Sequence, residues 1–555
     1  MHLRQTPKTC SRLSRALAEP DLKTTVQFRK EIGTLIKKAQ IIKNVGSSWF
    51  SMAMNVVVGV FLSPFIVHRL GDAAFGVWVL IFSITGYYGL FDLGIRSSIV
   101  RYVSKYTATK EMDKLACFIN TSLFTYTLTG IVAMVVTLVL TVLVNSLFHV
   151  PADMRAQARW LMLMAGSSVA LGFPLGIFGG ILDGLQRFYV TNWTSIVTTL
   201  LRAALIVYVL YQGYGILAIA LITVALPILG AMFRGMVVFR LLPIPIGLKY
   251  VDRASFKQMA HYSGTTLIII IAARLRFRTD ELVLGGMIST VAVTFFTVGA
   301  RLVDYAQEMV AQLAQIFVPM SSQSEAVGNL DRVRKIYVMG NRACALTIFP
   351  LAASLLILGR SVIEVWMGKK YVAVSYPVTV ILIIPVTLLF MQAASGRILM
   401  GMGRHRSFAL VTLMEGIANL VLSVVLVGSV RKMGMSYGIM ADALGTAIPM
   451  FLTTLFFLPR HMKRQLDVPV LTFLRESYVL PGLLVTPMAL TMLLMQRWHY
   501  AHSWRQLLIQ CAAGGAVYGA GLLWAYRTKR AFHVRELAAV PKPSLVDQPE
   551  PAVPA

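Results

Sequence analysis

The sequence has few charged residues and very few acidic ones. Only 14% of its 555 residues are charged, whereas about a quarter are charged in a typical soluble domain. Its four cysteines lie far apart and have none of the spacings typical of metal sites. These scarcities exclude a soluble multidomain protein, a disulfide framework and a cysteine-based zinc site.

Motifs of hydrolytic and nucleotide-dependent enzymes are also missing. The sequence contains no HExxH, no Walker-type phosphate loop and no GxSxG. A membrane-embedded enzyme, such as a glycan polymerase or an acyltransferase, would need a large polar loop or clustered acid–base groups, and neither is evident. We therefore expect a protein that is not an enzyme and that requires no cofactor or metal.

Long apolar runs dominate the sequence instead. Hydrophobic residues make up 57% of the chain, and the mean hydropathy is +0.69. Because about 20 apolar residues suffice for one membrane-spanning helix, we predict an all-α integral membrane protein with about fourteen transmembrane helices. The predicted spans are 46–67, 75–95, 119–148, 158–181, 191–211, 215–240, 260–284, 288–310, 337–359, 374–396, 408–429, 434–458, 477–495 and 504–526.

Basic residues are concentrated on one side of these spans. The net charge of +28 would suit a nucleic-acid-binding protein. With the N-terminus in the cytosol, however, most of the 52 Lys and Arg fall in the predicted inner segments, as the positive-inside rule requires. We therefore expect no nucleic-acid partner, and we expect a bacterial cytoplasmic membrane protein with both termini in the cytosol.

Two segments of the sequence resemble each other. Residues 214–223, YGILAIALIT, match residues 437–446, YGIMADALGT, and each begins a predicted span, the sixth and the twelfth. An offset of six spans gives both copies the same orientation, which is typical of parallel repeats that enclose a substrate site. Chance similarity between apolar helices is the alternative. The predicted organisation is a basic, amphipathic N-terminal segment (1–45), a six-helix bundle (46–240), a linker (241–259), a second six-helix bundle (260–458), two extra helices (477–526) and a disordered tail (527–555).

Several short motifs identify a family resemblance. The motifs at 70–78 (LG…GVW), 92–102 (DLG…VRY), 279–285 (TDELVLG), 365–371 (VWMG…Y) and 415–423 (E…N…S) occur in this order along the chain. They resemble the O-antigen-type polysaccharide flippases of the multidrug/oligosaccharidyl-lipid/polysaccharide superfamily. The resemblance implies two six-helix bundles plus two helices, alternating access and a polyprenyl-diphosphate-linked glycan as cargo. Lumen residues vary in this family, so the resemblance assigns no binding residue.

Charged residues inside the predicted spans are candidates for function. An ionisable side chain at the bilayer centre costs roughly 2.5–3.5 kcal/mol even on insertion scales. Such residues must therefore be paired, reach an interface or line a hydrated cavity. The arginines concerned are Arg202, Arg274, Arg276, Arg278, Arg301 and Arg342.

The seventh span carries three of these arginines. Arg274 and Arg278 lie four residues apart and share a helix face with Glu281, while Arg276 shares another face with Asp280. The second face can neutralise itself, whereas the first keeps one net positive charge. Ion pairing within the helix and a role in a cavity remain alternative interpretations of this pattern.

The eighth and eleventh spans carry polar stripes. Residues 301, 304, 308, 312 and 315 (Arg, Asp, Glu, Gln, Gln) fall within about 60° of one another at 100° per residue. So narrow a stripe favours a face that lines a lumen, although packing against another polar helix would also accommodate it. Thr412, Glu415 and Asn419 form a shorter stripe. Asp442 stands alone in the twelfth span, where one helix-terminal hydrogen bond could satisfy it.

These residues suggest a flippase for lipid-linked oligosaccharide. Arg274, Arg278, Arg301 and Asn419 are the candidate substrate-binding residues, because the arginine fork binds two phosphate oxygens. The candidate sites for proton or sodium coupling are Asp304, Glu308 and Glu415. The expected partners are the lipid-linked glycan, membrane lipids, and polysaccharide polymerases or glycosyltransferases.

A multidrug or metabolite cation antiporter of the same superfamily is the alternative function. Its lumen should be dominated by carboxylates and aromatic side chains that bind cationic drugs, so the arginines within the spans argue against it.

Overall fold

The computed structural model describes residues 22–242 and 244–528, and it places side chains for 46–242, 244–259 and 271–528. Within these residues all regular secondary structure is helical, so the predicted all-α class is confirmed. The side chains of the predicted amphipathic segment up to residue 45 lie outside the described residues. So does the predicted polar tail from residue 529 onward.

Nineteen helices follow one another along this part of the chain. A short 3₁₀ turn (Tyr87–Asp92) extends the second helix, and a π-helical turn (Thr453–Phe457) precedes the seventeenth. The helices are α1 (Leu22–Leu70), α2 (Asp72–Gly86), α3 (Ile95–Thr109), α4 (Met112–Leu147), α5 (Arg155–Gly184), α6 (Phe188–Tyr211), α7 (Ile216–Leu241), α8 (Arg253–Phe277), α9 (Asp280–Met287), α10 (Thr290–Gln315), α11 (Phe317–Ala326), α12 (Leu330–Trp366), α13 (Lys369–Met391), α14 (Ala393–Gly401), α15 (Arg406–Val430), α16 (Met435–Leu452), α17 (Leu458–Leu466), α18 (Val470–Trp498) and α19 (Trp504–Arg527).

Twelve helical segments of the described residues are long and apolar enough to cross a membrane. They correspond to all the predicted spans except the seventh and the eighth. The seventh is divided between α8 and α9. The eighth is α10, whose 26 residues give a length of about 39 Å, sufficient to cross a hydrocarbon core of about 30 Å. Because polar residues lower the hydropathy of α10, the count of fourteen spans stays a prediction.

The outer surface of the helices is apolar, as a lipid-facing surface must be. Along α4, the side chains of Ile131, Val135, Leu138 and Val142 are all more than half exposed. They recur every three or four residues, so they form one face of the helix. In hydrocarbon, a helix also satisfies its own backbone hydrogen bonds. Both features confirm an integral membrane protein.

The same helix neighbours recur in the two halves of the chain. α4 packs on α5, α5 on α7, α6 on α7, and α1 on α6. Six predicted spans later, α12 packs on α13, α13 on α16, α15 on α16, and α8 on α15. This recurrence is what the parallel repeat leads us to expect, while the domain boundaries themselves stay predictions. α18 packs on α12, and α19 packs mainly on α18.

Close helix contact in the first half depends on glycine. A Cβ atom at Gly130 of α4 would lie 2.5 Å from the backbone oxygen of Ala170 in α5, whereas a Cβ at Gly172 of α5 would have no neighbour within 4 Å. Replacing Gly130 by a larger residue must therefore push the two helices apart.

We predict that Gly130→Leu destabilises the protein and that Gly172→Leu does not. Overpacking costs roughly 1–3 kcal/mol, so the apparent melting temperature of the detergent-solubilised protein should fall by about a few degrees. Fluorescence-detected size-exclusion chromatography after heating measures this shift. Equal melting temperatures for the two variants would contradict the close α4–α5 contact.

Candidate functional site

Four arginines line one cavity between the two halves of the protein. The cavity has a volume of about 410 Å³, and its walls come from α1, α2, α6, α7, α8 and α10. Arg202 of α6 lies on its wall together with Arg274, Arg278 and Arg301. The remaining lining residues include Asn55, Ser63 and Ser83 as well as apolar side chains. We call this space the arginine cavity.

The geometry of α8 explains why two of its arginines reach this cavity. Arg274 and Arg278 are one helical turn apart, so they project from the same face. α8 ends at Phe277 and α9 begins at Asp280, which leaves Arg278 at the break between them. The hydroxyl groups of Tyr87 and Thr279 lie 3.0 Å apart and join this break to the end of α2.

The arginine cavity carries a net positive charge. Arg278 lies 3.7 Å from the carboxylate of Glu281, and Arg301 lies 3.9 Å from that of Asp304. Within the described residues, no carboxylate lies within 4.0 Å of Arg202 or Arg274, so these two charges are uncompensated. Charges interact more strongly in such a low-dielectric site than in water, and the cavity therefore attracts anions.

A second polar cavity continues from the arginine cavity toward the N-terminal end of α1. Its volume is about 380 Å³, and Asn55 lines both cavities. From α10, Glu308 and Gln312 line it with exposed side chains. Arg301, Glu308 and Gln312 of the predicted stripe thus face cavities between the two halves, as a lumen-facing helix requires.

A buried polar network lies inside the second half of the protein. Arg276 forms an ion pair with Glu415 of α15, and both residues are less than a tenth exposed. Asn419 donates a hydrogen bond to the backbone oxygen of Arg276 over 3.2 Å. The structure therefore corrects the expected match of Arg276 with Asp280, because the break after Phe277 interrupts the regular helix spacing.

Oxygen atoms converge in this network. Thr446 Oγ1 of α16 lies 2.6 Å from Asp280 Oδ1 and 3.0 Å from Asn419 Oδ1. Ser423 Oγ lies 3.1 Å from the same Asn419 oxygen and 3.3 Å from the backbone oxygen of Asp442. The hydroxyl groups of Thr446 and Ser423 each make two of these oxygen–oxygen contacts, but each hydroxyl has only one hydrogen to donate. At least one of the contacts therefore has no hydrogen between its two oxygen atoms. We call Asp280, Asn419, Ser423 and Thr446, together with the backbone oxygen of Asp442, the oxygen cluster.

Two further carboxyl groups are buried beside the oxygen cluster. Asp442 is completely buried, and neither of its carboxyl oxygens has a hydrogen-bond partner within the described residues. One carboxyl oxygen of Glu281 also has no partner there. A buried carboxylate without compensation is costly, so these groups require a proton or a cation. The helix-terminal hydrogen bond that could satisfy Asp442 is not formed by its carboxyl oxygens within the described residues.

The two halves of the protein are joined at the junction of α1 and α2. The carboxylate of Asp72 receives hydrogen bonds from Lys370 Nζ, at 2.9 and 3.0 Å, and from the hydroxyl of Tyr371. Thr294 Oγ1 donates to the backbone oxygen of Asp72 over 2.7 Å. A Cβ atom at Gly76 would lie only 1.8 Å from the backbone oxygen of Thr290. This end of the arginine cavity is therefore closed by direct contact.

The structure brings the three predicted arginines together and places the other predicted site residues in separate environments. Arg274, Arg278 and Arg301 meet at the arginine cavity, whereas Asn419 is buried in the oxygen cluster and does not line that cavity. For the carboxylates, Asp304 lines a small cavity of about 40 Å³ beside the cluster, Glu308 faces the second polar cavity, and Glu415 is paired with Arg276. The roles of these residues stay predictions.

Several residues of these sites carry no sequence signal for their role. Arg202 was evident as a charge within a span, but nothing in the sequence placed it beside α8. Asp280 and Thr446 lie within recognised motifs, the seventh-span motif and the repeat. They meet because α9 packs against α16, and no sequence pattern predicts that helix contact. Asp72 likewise carries no sequence signal.

Comparison with known proteins adds to this geometry. Residues 41–325, about half of the chain, match the family described as "Polysaccharide biosynthesis protein". The membrane protein EpsK of Bacillus subtilis, described as uncharacterized, is 23% identical over 76% of this chain and 83% of its own length. A putative O-antigen transporter of Shigella flexneri is 19% identical over 62% of this chain and 81% of its own length.

The fold is shared with a solved transporter structure. The lipid II flippase MurJ, in an inward closed conformation, superposes with a TM-score of 0.66 at 14% identity, over 88% of this chain and 99% of MurJ. The O-antigen transporter and the lipid II flippase are named for transport and not for catalysis, in agreement with the prediction that the chain is not an enzyme. The chain belongs to the family described as polysaccharide biosynthesis protein.

Proposed function

We propose that the protein flips a polyprenyl-diphosphate-linked oligosaccharide across the bacterial inner membrane by ion-coupled alternating access. The arginine cavity is the observation that carries this proposal. A diphosphate head group is multiply anionic and cannot cross hydrocarbon unaided. The arginine cavity offers the head group four guanidinium groups, each able to bind two phosphate oxygens. Two of them, on Arg202 and Arg274, are uncompensated, and the other two, on Arg278 and Arg301, are only loosely paired.

The alternative, export of cationic drugs or metabolites, fits this cavity less well. An organic cation entering it would meet four guanidinium groups, of which only two have a carboxylate within 4.0 Å in the described residues. Like charges in a site of low dielectric repel strongly. The names of the O-antigen transporter and the lipid II flippase also favour a glycan-bearing substrate.

The oxygen cluster is the best-placed site for the coupling ion. Hard cations prefer oxygen ligands from carboxylates, carbonyls and hydroxyls. The oxygen cluster supplies all three kinds, since the hydroxyl of Thr446 lies 2.6 Å from the Asp280 carboxylate and 3.0 Å from the side-chain carbonyl of Asn419. Asp442 provides a second, unpartnered carboxyl group beside it. A sodium ion or a proton bound here neutralises these buried acids. Asp280 lies only two residues beyond Arg278, which lines the arginine cavity. An ion bound at the oxygen cluster can therefore affect the position of Arg278 in that cavity.

Alternating access follows from the contacts that close one end of that cavity. Opening this end requires the Asp72–Lys370 ion pair and its neighbouring hydrogen bonds to break while the opposite end closes. With both termini in the cytosol, as predicted, the closed end faces outward and the second polar cavity faces the cytosol. The substrate would then enter from the cytosolic side, where polysaccharide glycosyltransferases supply it, and leave toward a polymerase.

We predict that Arg274→Ala and Arg301→Ala strongly reduce export while the protein remains in the membrane. Each arginine–phosphate contact is a charge-assisted hydrogen bond worth roughly 1.5–3 kcal/mol, so flipping of a lipid-linked oligosaccharide in proteoliposomes should fall about tenfold to a hundredfold. The matched control is Arg159→Ala, because Arg159 is exposed in α5 outside the arginine cavity. Normal flipping and normal surface glycan in both cavity variants would contradict substrate binding by these arginines.

We also predict that Asp280→Asn and Thr446→Ala lose gradient-driven transport but retain downhill exchange, because they remove ligands of the coupling ion and leave the arginine cavity intact. Transport measured with an imposed sodium or proton gradient identifies the ion. Thr453→Ala is the matched control, since Thr453 hydrogen-bonds only its own helix backbone among the described contacts. An undiminished response to either gradient in the Asp280 and Thr446 variants would exclude coupling at the oxygen cluster.

The closed end provides a third prediction. Asp72→Asn should weaken the contact with Lys370 and shift the protein toward the conformer open at this end. In a cysteine-less background, a cysteine at position 301 should then react faster with a membrane-impermeant reagent added from that side. The exchange Asp72→Lys with Lys370→Asp should restore the original rate, and Lys369→Gln, at the neighbouring exposed lysine, should leave it unchanged. Equal labelling in all these proteins would show that the ion pair does not hold this end closed.

A further inference from the structure

A third large cavity lies inside the second half of the protein. Its volume is about 400 Å³, nearly that of the arginine cavity, and its walls come mainly from α8, α10, α13, α14 and α15. Most of its lining is apolar, with three aromatic rings, Phe277, Phe390 and Phe408, and several alanines. We call this space the apolar chamber. An apolar cavity of this size does not hold water well and favours a hydrocarbon ligand.

The apolar chamber extends from the ends of the helices into the membrane interior. α15 begins at Arg406, and Thr412, six residues later, also lines the chamber. α10 ends at Gln315, and Gln307, eight residues earlier, lies on the opposite wall. At a rise of 1.5 Å per residue, the chamber is about 9–12 Å deep. The end of the chamber that is lined by Arg397, Met400 and His405 lies where α14 ends and α15 begins, and we call this end the mouth.

Cationic groups lie at this mouth. Arg397 of α14 lines the chamber, and within the described residues no carboxylate lies within 4.0 Å of it; its only hydrogen-bond contact there is with the sulfur of Met400. His405 also lines the chamber, and its Nδ1 atom is buried without a hydrogen-bond partner. The mouth therefore offers the positive charge of Arg397 to an anion, with the imidazole ring of His405 beside it.

The other charged groups of the chamber decide where an anion can bind. Arg276, at the inner end, is already neutralised by Glu415, although its Nε atom has no partner. Glu308 lies on the wall shared with the second polar cavity and would repel an anion there. An anionic head group therefore binds most favourably beside Arg397 and His405, while an attached hydrocarbon chain lies inward against the aromatic rings.

We infer that the apolar chamber binds an anionic phospholipid of the adjacent leaflet, with its phosphate on Arg397 and His405 and one acyl chain inside. This lipid site is separate from the arginine cavity and does not depend on the identity of the transported cargo. α8 lies between the two spaces, with Arg276 and Phe277 on the chamber and Arg274 and Arg278 on the arginine cavity. A bound acyl chain would thus support the helix that carries the substrate-binding arginines.

Native mass spectrometry of the purified full chain in an uncharged detergent tests this inference. Phosphatidylglycerol and phosphatidylcholine with the same acyl chains serve as probes. We expect phosphatidylglycerol to bind at least about tenfold more tightly, since the charge-assisted contacts at the mouth favour the anionic phosphate ester without a compensating choline. The double variant Arg397→Gln with His405→Gln should lose one bound phosphatidylglycerol.

Two further variants make the result specific. Arg404→Gln is the matched control, because Arg404 is adjacent in sequence but pairs with Glu325 at 2.8 Å and does not line the chamber. It should bind lipid as the parent protein does. Ala311→Trp places a large ring inside the chamber and should lose the same lipid while eluting as a folded protein on size exclusion.

Three outcomes would overturn the inference. Equal binding of the two phospholipids would show that the mouth does not select an anionic head. Unchanged phosphatidylglycerol binding in both the double variant and the folded Ala311→Trp protein would place the lipid elsewhere. Displacement of phosphatidylglycerol by a polyprenyl monophosphate at much lower concentration would identify the chamber as a site for the carrier lipid.

Discussion

An ionised side chain inside a membrane must have a compensating charge, water or a ligand, and this constraint organises the whole protein. The ion pair of Arg276 with Glu415 needs nothing further for its charge. The arginine cavity and the oxygen cluster are different, because each keeps charge that the described residues do not balance. The first has an excess of cations and the second an excess of acids, so the two sites attract partners of opposite sign. That difference is what the proposed transport of an anionic head group, coupled to a cation, requires.

One broken helix connects these sites. α8 ends at Phe277 and α9 begins at Asp280, so residues only a few positions apart face three different environments. Arg274 and Arg278 face the arginine cavity, Arg276 faces the apolar chamber and Asp280 joins the oxygen cluster. A rearrangement at this break would reach all three spaces together. The break therefore provides a physical route by which the proposed coupling ion or the proposed lipid could influence the proposed substrate site.

The sequence was a good guide wherever a property depends on neighbours along the chain. Apolar run lengths predicted most of the membrane spans, and the four-residue spacing of Arg274 and Arg278 predicted their common face. The three- and four-residue steps along α10 predicted one polar face, and the structure places Arg301, Glu308 and Gln312 of that face on the walls of two cavities, with Asp304 on a separate small cavity. Such periodicities follow directly from helix geometry. The hydropathy of α10 was less informative, because the polar residues that face the cavities also make the helix look less like a membrane span.

The sequence by itself determined the class of the protein, its membrane helices and the excess of arginine within them, because these follow from composition and local spacing. Only the tertiary structure decided which charges meet. Arg202 lines the same cavity as the arginines of α8 because the two halves pack together. Asn419 lies in the oxygen cluster and not in the arginine cavity. Asp72 pairs with Lys370, nearly 300 residues away in the sequence. Such contacts depend on how the helices pack against one another. The helical period in a sequence predicts which side of a helix a residue lies on, but it does not predict which residue of another helix it will contact.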